Sequence, residues 1–112
     1  MTETAPAAAR TLVVITTLPD RASAERLART LVERRLAACV NLLAPCRSVY
    51  RWEGAVQQED EHPLLIKTNA ARYAALEEAI RADHPYDVPE IIALPVERGL
   101  AGYLEWVADA CT

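Results

Sequence analysis

Phenylalanine is absent from the 112 residues, methionine occurs once, histidine twice and glycine three times. Two Trp and four Tyr therefore carry all the aromatic packing. Three glycines leave no Gly-rich loop to cradle a phosphate, and neither Gly-x-Ser-x-Gly nor His-Glu-x-x-His occurs. Twelve Lys and Arg against sixteen Asp and Glu give a formal charge of -4, with no basic patch of the size nucleic acid needs. No apolar run approaches the roughly 20 residues that span a bilayer, so no membrane partner is expected. The three cysteines, Cys39, Cys46 and Cys111, are odd in number and show neither Cys-x-x-Cys nor zinc-finger spacing. Reduced thiols and a cytoplasmic setting follow as expectations.

What is present is one modest core. Residues 1–10 are rich in Thr, Ala and Pro without an apolar signal-peptide segment and are expected to form a loose tail. Residues 11–112 are expected to form a single domain. Leu12 to Thr17 is a β-branched run that reads as a central strand covered on both faces. Asp20 can cap a helix whose apolar stripe is Ala24, Leu27, Ala28, Leu31 and Val32, ending near Arg35. Cys39 to Leu43 reads as a second strand, bent or interrupted at Pro45 before Arg47 to Trp52 resumes it. Gly54 supplies the turn, and the chain returns through a polar stretch, with His62-Pro63 expected to break the ladder locally, to Leu64–Thr68. Asn69 is expected to cap a second helix that ends near Asp83, because Pro85 cannot continue it. Ile91–Val96 reads as a last strand whose Pro95 puts its end at an edge or a bulge. Gly99 and Gly102 are expected to flank the start of a terminal helix.

The order β-α-β-β-α-β plus a helix predicts a ferredoxin-like α+β sandwich, an antiparallel sheet with helices on one face. Its other face is left bare and the hairpin is overlong for one chain, so self-association is expected.

Among residues that could carry chemistry, Cys39 in its apolar strand reads first as a core thiol. His84, at a helix end beside Asp83 and Asp87, belongs to a residue set that suits several divalent metals, and a structural or capping role competes with that reading. Glu61, Lys67 and Glu90 lie in or beside strands. With Tyr50, Trp52 and Tyr86 they can line a polar-aromatic cleft between subunits. No nucleophile–base pair is displayed, so an enzyme is not expected.

Five segments in order carry a resemblance: Leu36-Ala37-Ala38-Cys39-Val40-Asn41, Ser48-Val49-Tyr50-Arg51-Trp52-Glu53-Gly54, Glu61 with Leu65-Ile66-Lys67-Thr68, His84-Pro85-Tyr86-Asp87-Val88-Pro89-Glu90-Ile91, and Tyr103-Leu104-Glu105-Trp106. Together they resemble the CutA family of divalent-cation-tolerance proteins. The resemblance implies a compact homotrimer, similar to that of the PII signalling proteins, and binding of copper or another divalent metal without enzymatic activity. It implies His84, with Asp83 and Cys39, as metal candidates. Copper-binding members can carry Cys where this chain has Thr16 and His where it has Asp83, which favours weaker or harder-ion binding here, or none. The alternative is a PII-like adaptor trimer that binds a small, anionic ligand or a protein in the intersubunit cleft. A third reading is a scaffold in which Glu61, Lys67 and Glu90 pair with one another.

Overall fold

The structure is a computed structural model that describes residues 9–112; residues 1–8, most of the expected tail, lie outside them. The elements are β1 (Thr11–Leu18), α1 (Arg21–Glu33), β2 (Cys39–Leu42), β3 (Cys46–Trp52), β4 (Ala55–Asn69), α2 (Tyr73–Asp83), β5 (Ile91–Pro95) and α3 (Ala101–Ala110). Strand order is β2-β4-β1-β5, and β3 pairs with the outer half of β4. Every pairing is antiparallel. β1 and β2 therefore run parallel on either side of β4, and β4 and β5 do so about β1. This interleaving of two split β-α-β units is the ferredoxin-like arrangement.

Local chemistry starts and stops α1. Asp20 is extended and accepts the Ser23 backbone N–H at 2.7 Å. Arg35 turns left-handed (φ 58°), and the N–H groups of Leu36 and Ala37 both close back on the Leu31 carbonyl. Ala24, Leu27, Ala28 and Leu31 are buried, as their spacing predicts, whereas Val32 of the same expected stripe is exposed. Ala24, Leu27 and Leu31 meet Val14, Leu18, Leu64 and Ile66 from the sheet and Leu76 and Ile80 from α2. α3 makes a separate small cluster, Val107 and Cys111 against Ala38, tied down by Arg72 Nε donating to the Cys111 carbonyl at 2.6 Å.

Several expectations need correction. β1 is central but covered on one face only: in this chain Val13 and Ile15 stay partly open, and their β5 neighbours Leu94 and Ile92 are each 50% exposed. His62-Pro63 does not break β4, which runs unbroken for 15 residues. The Pro63 carbonyl faces Leu43 (3.0 Å), so its missing N–H faces the same side, where Leu43–Pro45 already interrupt β2 and β3. The β1 side loses nothing. Asn69 accepts the Arg72 N–H at 3.0 Å and so shapes the turn before α2, while the helix itself starts at Tyr73. The start of α3 at Ala101 does fall between Gly99 and Gly102, as expected. At the hairpin tip Glu53 (φ 50°) and Gly54 (φ 79°) are both left-handed, the two-residue turn that matches strand twist.

Thr16 is fully buried on the helix-covered face, and among the described residues its hydroxyl finds no hydrogen-bond partner. An unmet buried hydroxyl costs about 1–3 kcal/mol, and Val has nearly the same shape. Thr16→Val is expected to raise stability by about 1 kcal/mol in urea unfolding. A lower midpoint would mean that the hydroxyl has a partner.

Candidate functional site

The outer hairpin, Cys46–Trp52 against Ala55–Glu61, makes the molecule long, 52 × 29 × 23 Å. Strand alternation puts Ser48, Tyr50 and Trp52 on one face, opposite Glu59, Gln57 and Ala55 of β4. Glu61 continues that face into the body of the sheet. The segment after α2 crosses in front of it, because Pro85 and Pro89 stiffen the connection into β5. Between hairpin and connection lies a cleft of about 760 Å3. Tyr50, Trp52, Glu59 and Glu61 form one wall, and Tyr86, Asp87, Val88 and Glu90 the other. Among the described residues, four carboxylates line it and no Lys, Arg or His does.

Glu61 is the deepest charge, 8% exposed. Its Oε2 accepts from the Thr17 hydroxyl at 2.8 Å and, at 3.5 Å, from the Tyr86 hydroxyl. Tyr86 is pushed up to about 12, first by its burial and then by the negative field of Glu61 and Glu59. Tyr50 is raised too, by desolvation and then Glu59.

The linkage has a definite sign. An unfolded tyrosine ionises near pH 10, whereas folded Tyr86 holds its proton to about 12. Stability is therefore complete below pH 10 and falls as pH rises towards 12. Tyr86→Phe is expected to flatten that decline in urea unfolding between about pH 9 and about pH 11. An unchanged slope would contradict the role given to Tyr86.

His84 is 8% exposed and both its ring nitrogens are engaged. Nε2 lies 2.6 Å from the Thr17 carbonyl and Nδ1 accepts the Tyr86 backbone N–H at 3.2 Å. An accepting Nδ1 requires the proton on Nε2, which donates to Thr17. β5 ends its pairing at Ile91 opposite Thr16, so no strand donor reaches the Thr17 carbonyl. His84 fills that missing rung and fixes Tyr86 in the cleft wall, where the two rings sit 4.8 Å apart.

The other expected residues are dispersed. Cys39 is half-buried on the open face, opposite Lys67, four strand residues along β4 from the Pro63–Thr17 end where His84 sits. Asp83 is exposed at the end of α2. Among the described residues no three His, Cys, Asp or Glu side chains group closely enough to hold a metal ion. Of the six expected cleft residues, Tyr50, Trp52, Glu61, Tyr86 and Glu90 come together. Lys67 does not: it donates to Asn41 on the open face. Glu61, Lys67 and Glu90 do not pair with one another within the chain. Glu59 and Asp87, which the expectation left out, belong to the cleft. The alternation Tyr50-x-Trp52 opposite Gln57-x-Glu59-x-Glu61 is the signal that could have found Glu59.

Against known proteins, the model of the CutA1 divalent ion tolerance protein family matches residues 12–110. The divalent-cation tolerance protein CutA of Thermus thermophilus is 45% identical over 97 residues, 87% of this chain and 94% of its own. The chloroplastic protein CutA of Arabidopsis thaliana is 46% identical over 99 residues, 88% of this chain. The chain spans only 54% of that plant protein and 56% of the chloroplastic CutA 1 of Oryza sativa. The crystal structure of CutA1 from Oryza sativa superposes with a TM-score of 0.89 at 44% identity, covering 92% of this chain and 94% of that one.

Proposed function

The chain belongs to the CutA1 family of divalent ion tolerance proteins, and from that premise we propose that it serves divalent-cation tolerance as a homotrimer that binds a divalent metal ion, copper or another, and catalyses no reaction. The observation that carries the cation reading is the sign of the cleft: Glu59, Glu61, Asp87 and Glu90 face it without one basic side chain. His84, Asp83 and Cys39 do not fit a metal as a set, since both ring nitrogens of His84 are engaged and Cys39 lies four strand residues away along β4. The cleft carboxylates supply hard oxygen donors instead, and a closed coordination shell draws on a second subunit. The trimer is supported by the half-exposed apolar face at Ile92 and Leu94 and by the projecting hairpin. Residues 11–112 serve as its single domain. Free thiols at Cys39, Cys46 and Cys111 support a cytoplasmic setting, although relatives are named chloroplastic and periplasmic. Among the described residues no helix is long and apolar enough to cross a membrane.

Calorimetric titration of the assembled protein with Cu(II) and Zn(II) tests this. Saturable binding at fixed stoichiometry, about tenfold weaker in Glu61→Gln, is expected. Binding lost in His84→Ala but intact in Glu61→Gln would move the centre back to His84. No binding by either ion would remove the metal from the function. A stable monomer in sedimentation at micromolar concentration would remove the trimer.

A second reading, a PII-like adaptor that binds a small molecule in the cleft, is favoured by the volume of about 760 Å3 and by three aromatic side chains on its walls. With Lys67 elsewhere, no basic side chain among the described residues faces the cleft to pair with an anion.

A further inference from the structure

Glu61 is a carboxylate at 8% exposure with no cation beside it. The ion pairs among the described residues are Arg21–Glu25, Arg29–Glu33 and Arg47–Asp60, all on the surface. A charge so far out of water needs hydrogen bonds on both oxygens or a counter-charge. Its Oε2 has the Thr17 and Tyr86 hydroxyls. Its Oε1 has no hydrogen-bond partner among the described residues, and the carboxylate lines the cleft. That oxygen is open to the cleft and free to accept from whatever fills it, water or a ligand.

The walls restrict that occupant further. Tyr50 and Trp52 stand two residues apart on one face of β3, roughly 7 Å from each other, with Tyr86 across the cleft. Aromatic faces attract cations and cover methylene groups well. Within one chain the acidic groups are spread along both walls and do not converge on one point, so a metal ion there needs donors from a second subunit, whereas an elongated cation does not. An anion meets only like charge. A quaternary ammonium satisfies the rings but has no N–H for Glu61.

On the small-molecule reading of the cleft, we propose that its ligand is an organic ammonium ion with N–H donors, in simplest form an alkyl diamine. One ammonium group donates to Glu61 Oε1, the carbon chain lies between Tyr50, Trp52 and Tyr86, and the second ammonium group meets Glu90 at the mouth.

The test is a fluorescence titration of the assembled Trp106→Phe protein, in which Trp52 is the sole reporter, with 1,4-diaminobutane. Trp106 lies on α3 beside Tyr103, outside the cleft. A saturable change is expected that weakens with added salt. Glu61→Gln is expected to weaken it about tenfold or more, through loss of the charge-assisted bond. Should Glu61→Gln not fold, the exposed Glu59→Gln serves, with a smaller weakening expected. Tetramethylammonium is expected to bind more weakly than the diamine, and 1,4-butanedioate not at all. A diamine response that is absent, or indifferent to both glutamate variants, overturns the proposal, as does tighter binding of the dicarboxylate. If the diamine fails while ATP gives a saturable change, the ammonium assignment falls and the small-molecule reading stands. If both fail while Zn(II) binds, the small-molecule reading falls as well.

Discussion

Ile92→Asp is expected to leave the protein monomeric at micromolar concentration. Ile92 lies opposite Ile15, and Leu94 opposite Val13, on the sheet face that the two long helices do not cover. Each of the β5 pair is 50% exposed. Burying such a side chain completely is worth about 1.5–3 kcal/mol, so about 1 kcal/mol per residue remains to be gained when a partner covers this face. The aspartate does more than forfeit that gain. An unpaired carboxylate in the interface costs several kcal/mol of lost hydration, once in each copy. That penalty outweighs the missing apolar contact and decides the outcome. The fold of the single chain is expected to persist, because position 92 is half in water there and β5 is an edge strand. Sedimentation velocity with circular dichroism reads both. A variant that sediments like the wild type would show that this face is not the interface, and one that loses its secondary structure would show that the strand depends on Ile92.

His84→Ala is expected to cost about 2–5 kcal/mol of stability in the complete absence of metal. The change strands two partners at once, the buried Thr17 carbonyl and the part-buried Tyr86 backbone N–H. Each costs about 1–3 kcal/mol when left unmet. Domains of this size hold about 5–15 kcal/mol in all, so the loss is a large share. Urea unfolding in a chelator, at one fixed protein concentration, separates this from any metal effect. His84→Gln, whose amide can restore one of the two bonds, is expected to recover part of the loss. A His84→Ala midpoint within about 0.5 kcal/mol of wild type would mean that the ring is not structural, and the metal role would regain weight. Because His84 holds Tyr86, the same variant is also expected to weaken any cleft ligand. A loss of metal binding in His84→Ala is therefore no proof of ligation unless Glu61→Gln leaves that binding intact.

Elements that depend on near neighbours were legible. The Asp20 cap, the 3.6-residue stripe of α1, the Pro85 stop and the Gly54 turn each rest on contacts within a few residues. Alternation along β3 likewise put Tyr50 and Trp52 on one face. The misreadings lie where a distant strand decides. Pro63 reads as a break, yet it falls where β2 and β3 are already interrupted, and that coincidence of two segments twenty residues apart exists only in the paired sheet. Lys67 reads like the other charged strand residues, but its place in β4 puts it beside Asn41 and Cys39, far from the cleft.

By itself the sequence determined the family, the ferredoxin-like order of elements and the aromatic–acidic composition of the hairpin and the His84–Glu90 connection, because periodicity, caps and turns act locally. Tertiary structure alone decided what those residues do. It turned His84 into the donor that closes the end of β1, left one oxygen of Glu61 open in a cleft without a basic group, and kept His84, Asp83 and Cys39 apart. The physical reason is range. A hydrogen bond acts over about 3 Å in space, while the partners of these groups, Thr17 for His84 and for Glu61, lie 67 and 44 residues away along the chain.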